Sequence, residues 1–137
     1  MHYVYLVTPF ITWLVTGCLK FIINSIRERK FAFSLIGYGG MPSNHSAIVA
    51  SMLTLVGVRE GLGPIFGVAL TLAFIVILDA SSLRRQIGKQ AQAINLMIQE
   101  NQINIPKLRE RIGHSRPEII VGCLVGVVVG LCMAQLN

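Results

Sequence analysis

Residues 65–78 read IFGVALTLAFIVIL, an apolar run without a single charge. Taken from Pro64 through Leu83, the stretch reaches the roughly 20 residues that a bilayer-crossing helix needs. The composition agrees. The chain has 137 residues, 53% of them hydrophobic and only 13% charged, where a soluble domain carries about 25% charge. Mean hydropathy is +0.66. The expected class is therefore an all-α integral membrane protein forming one domain over residues 1–137.

Upstream of this run, Arg59, Glu60 and Gly61 mark a turn, and Gly63-Pro64 restarts the chain. A second apolar helix precedes the turn over about 43–58. It is entered through Gly39 to Ala47, GGMPSNHSA. Two glycines and a proline make a tight turn, and a capped helix start follows with Ser43 or Asn44 as the N-cap. Free N–H groups at such a start favour an anion, and His45 in the first turn is placed for proton transfer. The first spanning helix lies at about 3–26 and includes YVYLVTPFITWLVTGCLKFII. Pro9 is a kink candidate. Lys20 in its last turns has the common reading of a snorkelling anchor.

Downstream of the opening run, Asp79 ends the apolar pattern and Arg84-Arg85 follow. Residues 84–113 change to charges and amides, with Ile87, Ala91, Ile94, Met97 and Ile98 at helical spacing. That pattern predicts an amphipathic interfacial segment, broken at Asn101 to Pro106 and followed by a short helix, PKLRERIG. The fourth span runs over about 117–135, PEIIVGCLVGVVVGLCMAQ. Its Gly122, Gly126 and Gly130 recur every four residues and let another helix approach closely. That helix belongs either to the same chain or to a second copy in a homo-oligomer. The whole is a four-span helical bundle with one amphipathic interfacial helix.

Net charge is +6, with a pI near 9.7. In a membrane protein this excess sets topology or meets anionic membrane lipids. No interleaving of aromatic and basic residues points to nucleic acid. Cys18, Cys123 and Cys132 lie in apolar runs without metal-like spacing, so neither a disulfide nor zinc is expected. The first apolar stretch has no basic n-region and no cleavage site, and reads as mature helix. His2, at the terminus, is given no role.

Four helices joined end to end alternate direction. The end of the first, the start of the second, the end of the third and the start of the fourth then share one membrane face. Lys20 and Arg27 mark it from the first helix, and Ser43 and His45 from the second. Asp79, Arg84 and Arg85 mark it from the third, and His114 and Glu118 from the fourth. Of the 12 Lys and Arg residues, only Arg59 falls in the opposite loop. The positive-inside rule makes the charged face cytoplasmic. His114 and Glu118, four apart, face the same way on a helix. A carboxylate beside an imidazole fixes its tautomer and raises its basicity; the plainer role for the pair is helix capping. Two histidines, a carboxylate and several cations fit phosphoryl transfer, with cations on the oxygens, one His attacking and the other protonating the leaving oxygen. No carboxylate cluster calls for a catalytic metal.

These residues resemble the divergent branch of the type 2 phosphatidic acid phosphatase superfamily, which also includes bacterial acid phosphatases and vanadium haloperoxidases. The superfamily motifs are K-x6-R-P, P-S-G-H and S-R-x5-H-x3-D. Here Lys20 and Arg27 keep the first spacing, with Glu28 in place of Pro. Pro42-Ser43-Asn44-His45 is similar to the second, with Asn for Gly. Leu83-Arg84-Arg85 and His114 with Glu118 supply the two parts of the third, separated by residues 86–113. The divergent branch has GGMPSSHSA, D-A-x-G-V-R-R-x-x-G-x-Q-A and G-H-x-x-x-E; this chain has GGMPSNHSA, DASSLRRQIGKQA and GHSRPE.

The resemblance implies a metal-independent, cofactor-free phosphatase acting on a lipid phosphate or pyrophosphate, in a bacterial cell membrane, through a phosphohistidine. His114 would be the nucleophile, Glu118 its orienting carboxylate and His45 the general acid. Lys20, Arg27, Ser43, the amides from Asn44 onward, and either Arg84 or Arg85 would hold the phosphate. The split third motif requires residues 86–113 to fold back and bring Arg84 near His114. Two rivals stand beside this reading. One is a non-catalytic protein that binds anionic lipid in the same pocket. The other is a small transporter, which needs polar residues along a midplane path. Thr8, Thr12, Thr16, Ser51, Thr54 and Thr71 are expected to bond back within their own helices instead.

Overall fold

The computed structural model describes residues 3–28, 40–110 and 112–136, with Arg27 and Glu28 described by their backbone alone. The described residues form five α-helices: α1 (Tyr3–Glu28), α2 (Asn44–Glu60), α3 (Pro64–Leu78), α4 (Arg84–Glu100) and α5 (Arg116–Ala134). No strand occurs among the described residues. α1 continues through Pro9.

α2 is the centre of the bundle, packed on α1, α3 and α5. It runs parallel to α5 in a fixed register. A Cβ on Gly122 would lie 2.5 Å from the Ser43 carbonyl oxygen, one on Gly126 2.2 Å from that of Ala47, and one on Gly130 2.6 Å from that of Ser51. The glycine row is thus filled by α2 of the same chain. This corrects the alternative of an oligomer seam through these glycines, because the face is already buried. α1 runs the other way. Thr8, Thr12 and Thr16 are fully buried, and each hydroxyl reaches the carbonyl one turn back. Thr12 Oγ1 also lies 2.8 Å from Ser51 Oγ. The expected back-bonding of these threonines is therefore present, and small polar residues form the inside of the bundle.

Large apolar residues form its outside. Phe10 is 73% exposed and Phe74 63%. Along α3 only Ala73 is buried. An interior of small residues under an apolar exterior suits lipid, where close backbone approach replaces the hydrophobic drive to associate. Among the described residues three helices are long and apolar enough to cross a membrane: Tyr3–Ile26, Pro64–Glu100 and Arg116–Ala134. α2, with 17 residues, is not one of them, so three of the four expected spans meet the test.

The segment 84–113 departs from expectation. α3 does not stop at Leu83. It passes through a π-helical turn, Asp79–Leu83, directly into α4, so the amphipathic stretch continues a spanning helix as far as Glu100. The apolar stripe of α4 stays largely uncovered, while Gly88, Ala91 and Asn95 are buried. No helix forms at Pro106–Glu110. The buried Asn95 holds this stretch in a non-helical form. Its Oδ1 accepts the Leu108 N–H at 2.8 Å, and its Nδ2 donates to the Leu108 carbonyl and to Glu110 Oε1, both at 2.8 Å. Those bonds satisfy backbone groups that a helical turn would otherwise pair.

Candidate active site

Folding back along α4 delivers residues 112–118 to the start of α2. Gly88 allows this, since a Cβ there would sit 2.5 Å from the Glu110 carbonyl oxygen. Gly113 allows it too, with φ of +94°, a left-handed conformation that glycine adopts without strain. The His114 N–H then donates to the Ala80 carbonyl at 3.2 Å, and the Ser43 N–H to the Glu118 carbonyl at 3.0 Å. The π turn, the start of α2 and the start of α5 are thereby tied together.

His114 is 9% exposed. Its Nδ1 lies 3.2 Å from Glu118 Oε2, and the same oxygen accepts the Ser115 N–H at 2.9 Å. Glu118 therefore both closes the capping box of α5 and faces the imidazole, so the two sequence readings of the pair coexist. A carboxylate only accepts, so the neutral ring carries its proton on Nδ1 and leaves the Nε2 lone pair free. Burial holds the proton affinity of His114 below the usual imidazole range; the hydrogen bond to Glu118 opposes this, and the charges of Lys20 and Arg84 reinforce it. The His45 ring lies 6.3 Å from that of His114, centroid to centroid, tilted by 54°. Lys20 and Arg84, from two further parts of the chain, lie within electrostatic reach of both imidazoles.

A family model described as the divergent PAP2 family matches residues 1–129. The chain belongs to the divergent PAP2 family. It is similar to the uncharacterized membrane protein YuiD of Bacillus subtilis (strain 168), at 36% identity over 133 residues, covering 85% of this chain and 84% of that protein. No solved structure matches.

In this divergent PAP2 chain, the two parts of the split third motif meet through the return along α4. The remaining candidates fall in different places. Ser43 is fully buried and caps α2, its hydroxyl accepting the Ser46 N–H at 3.4 Å and lying 3.0 Å from Ser46 Oγ. Asn44 opens α2, with its Oδ1 buried and without a partner among the described residues. Arg84 Nε lies 2.7 Å from Asp79 Oδ2, both side chains partly exposed. Arg85 is exposed and lines a cleft of about 650 Å3 with Lys89, Arg116, His114 and Glu118. Both adjacent arginines therefore border His114: Arg85 lines its cleft, and the charge of Arg84 acts on its ring. The side chain of Arg27 lies outside the described residues, as does most of the 31–42 connection with Gly39. Among the described residues no group of three His, Cys, Asp or Glu forms a metal-ligand cluster.

Two participants were not assigned from sequence. The Ala80 carbonyl, which holds the His114 backbone, is hidden because a backbone acceptor carries no residue signature. The Asp79–Arg84 pair is hidden because residues five apart do not share a side of an α-helix.

Proposed function

We propose that the chain is a metal-independent phosphatase of a lipid phosphate or pyrophosphate, working through a phosphohistidine. The observation that carries this reading is the buried His114–Glu118 pair with the His45 ring 6.3 Å from that of His114. His114 Nε2 attacks phosphorus while the bond to the leaving oxygen breaks, and His45 gives that oxygen its proton. Glu118 stabilises the positive charge that develops on the attacking ring. Lys20 and Arg84 neutralise the phosphoryl oxygens. Water, deprotonated by the now neutral His45, then attacks the phosphohistidine, and inorganic phosphate leaves with His114 restored.

The same reading places four crossings in the bilayer. α2 supplies the fourth, since it runs in register beside α5 from Ser43 at Gly122 to Ser51 at Gly130. With Arg59 at the opposite end, the cation count supports a site on the cytoplasmic face, and the similarity to a Bacillus membrane protein supports a bacterial cell membrane. A lipid substrate keeps its tail in the bilayer while its phosphate enters the polar end.

A second reading, binding of anionic lipid without turnover, draws on Asn44. Its buried, unpartnered oxygen stands where a glycine would leave the backbone open to phosphate. Phosphate release from a panel of lipid phosphates by purified protein in detergent separates the two. Release that survives EDTA, stops with vanadate and vanishes in His114→Ala supports the phosphatase. Binding of lipid phosphate by wild type and His114→Ala alike, with no release from either, supports the second reading.

A further inference from the structure

The helix from Pro64 to Glu100 is interrupted once, by the π turn Asp79–Leu83, and the interruption lies at the site. In an uninterrupted α-helix, residues five apart point about 140° away from each other. The extra residue of the π turn instead brings Asp79 Oδ2 to 2.7 Å from Arg84 Nε. It also redirects the backbone. The Arg84 N–H donates to the Asp79 carbonyl five residues back, and the Ala80 carbonyl receives the His114 N–H. Gly113 passes close by, where a Cβ would lie 2.9 Å from the Arg85 nitrogen and 3.2 Å from Arg84 Cβ. One turn therefore fixes the side chain of Arg84 and the backbone of His114 together. Such π turns are rare and concentrate at functional sites.

We propose that Asp79 is a positioning residue for the phosphate site, gripping Arg84 through Nε so that its two terminal nitrogens are held for phosphoryl oxygens. This rests on reading the site as a phosphate site. Asp79 touches no substrate, and its charge alone works against an anion. That opposition makes the role testable. If Asp79 acted only as a charge, its removal would tighten oxyanion binding; as a positioning residue, its removal loosens it.

The probe is orthovanadate, titrated calorimetrically into the purified full chain in detergent, so the readout does not depend on turnover. Asp79→Asn should weaken binding about tenfold despite the lost negative charge, and Arg84→Lys should do the same. The double variant should bind no worse than either single one, because both remove one interaction. Asp79→Glu, which keeps the carboxylate, should recover part of the affinity, and thermal melts identify any variant that fails to fold. Unchanged or tighter binding by folded Asp79→Asn overturns the proposal, as do losses that add in the double variant. If vanadate binds with this pattern but no lipid is hydrolysed, the phosphatase reading fails and the positioning role stands. Hydrolysis with no effect at Asp79 gives the reverse, and a wild type that binds no vanadate overturns both.

Discussion

The two ends of the bundle are built from the same helices and treat their polar groups differently. At one end, Arg59 donates from Nε and Nη2 to the Ala134 carbonyl at 3.3 and 3.2 Å, and also to the Leu136 carbonyl. Glu60 accepts from the Tyr5 hydroxyl. These polar groups serve to close helix ends. At the other end, Lys20 and His45 make no hydrogen bond or ion pair among the described residues, and the Nε2 of His114 is uncommitted. A polar group near a membrane that its own fold leaves unpaired is retained for something else. The contrast between a consumed end and an available end supports the proposal that Lys20, His45 and His114 act at the second.

The sharpest way to break this contrast is at His114. His114→Ala should lower phosphate release by at least about 10^3-fold, since it removes the proposed nucleophile. Retained activity would move the chemistry elsewhere. The next test strikes the seam that aligns both ends. Gly126→Val puts a branched side chain where even a Cβ would meet the Ala47 carbonyl at 2.2 Å. It should abolish folding or cost several degrees of melting temperature, beyond about 3 kcal/mol. Gly67→Ala, with open space around it, should melt like wild type.

A finer test concerns pH. His114 attacks only when unprotonated. Burial lowers its proton affinity, so the rate should hold as pH falls through about 6.5, the ordinary imidazole value, and drop only below it. Glu118 acts in the opposite direction on the same ring. Glu118→Gln keeps a capping-box residue but should reduce the plateau about 10- to 100-fold and move the acid limb further down. A pH–rate profile of both proteins checks the sign. The smallest effect belongs to the consumed end. Arg59→Ala should lower the melting temperature by about 4 °C and leave phosphate release within about twofold. A large loss of activity there would erase the distinction between the ends.

Much of this arrangement is legible in the chain. The i,i+4 spacing of His114 and Glu118 gives their contact directly, and alternating helices bring Lys20, His45, Arg84 and His114 to one face. What is not legible depends on partners distant in sequence. Glycines every four residues announce a close helix without naming it, and only the packing assigns α2. The 106–113 stretch carries good helix formers, yet Asn95 holds Leu108 and Glu110 out of a helix through bonds that local propensity does not contain. Asn95 itself looks like part of a solvated face. The π turn has no sequence pattern, because DASSL continues a helix as readily with a regular register. Three of the expected spans are long and apolar enough to read as crossings, whereas α2 is shorter, carries Ser46 and Ser51 in the interior, and reads less clearly as a span.

The central claim is that His114 becomes covalently phosphorylated. Wild type and His114→Ala would be mixed with a lipid phosphate labelled in its phosphoryl group, quenched in alkali and mapped by peptide mass spectrometry. The expected result is an acid-labile, alkali-stable phosphoryl group on His114 in wild type and none in the variant. Phosphate release by wild type without label on His114, or the same label in His114→Ala, would contradict it.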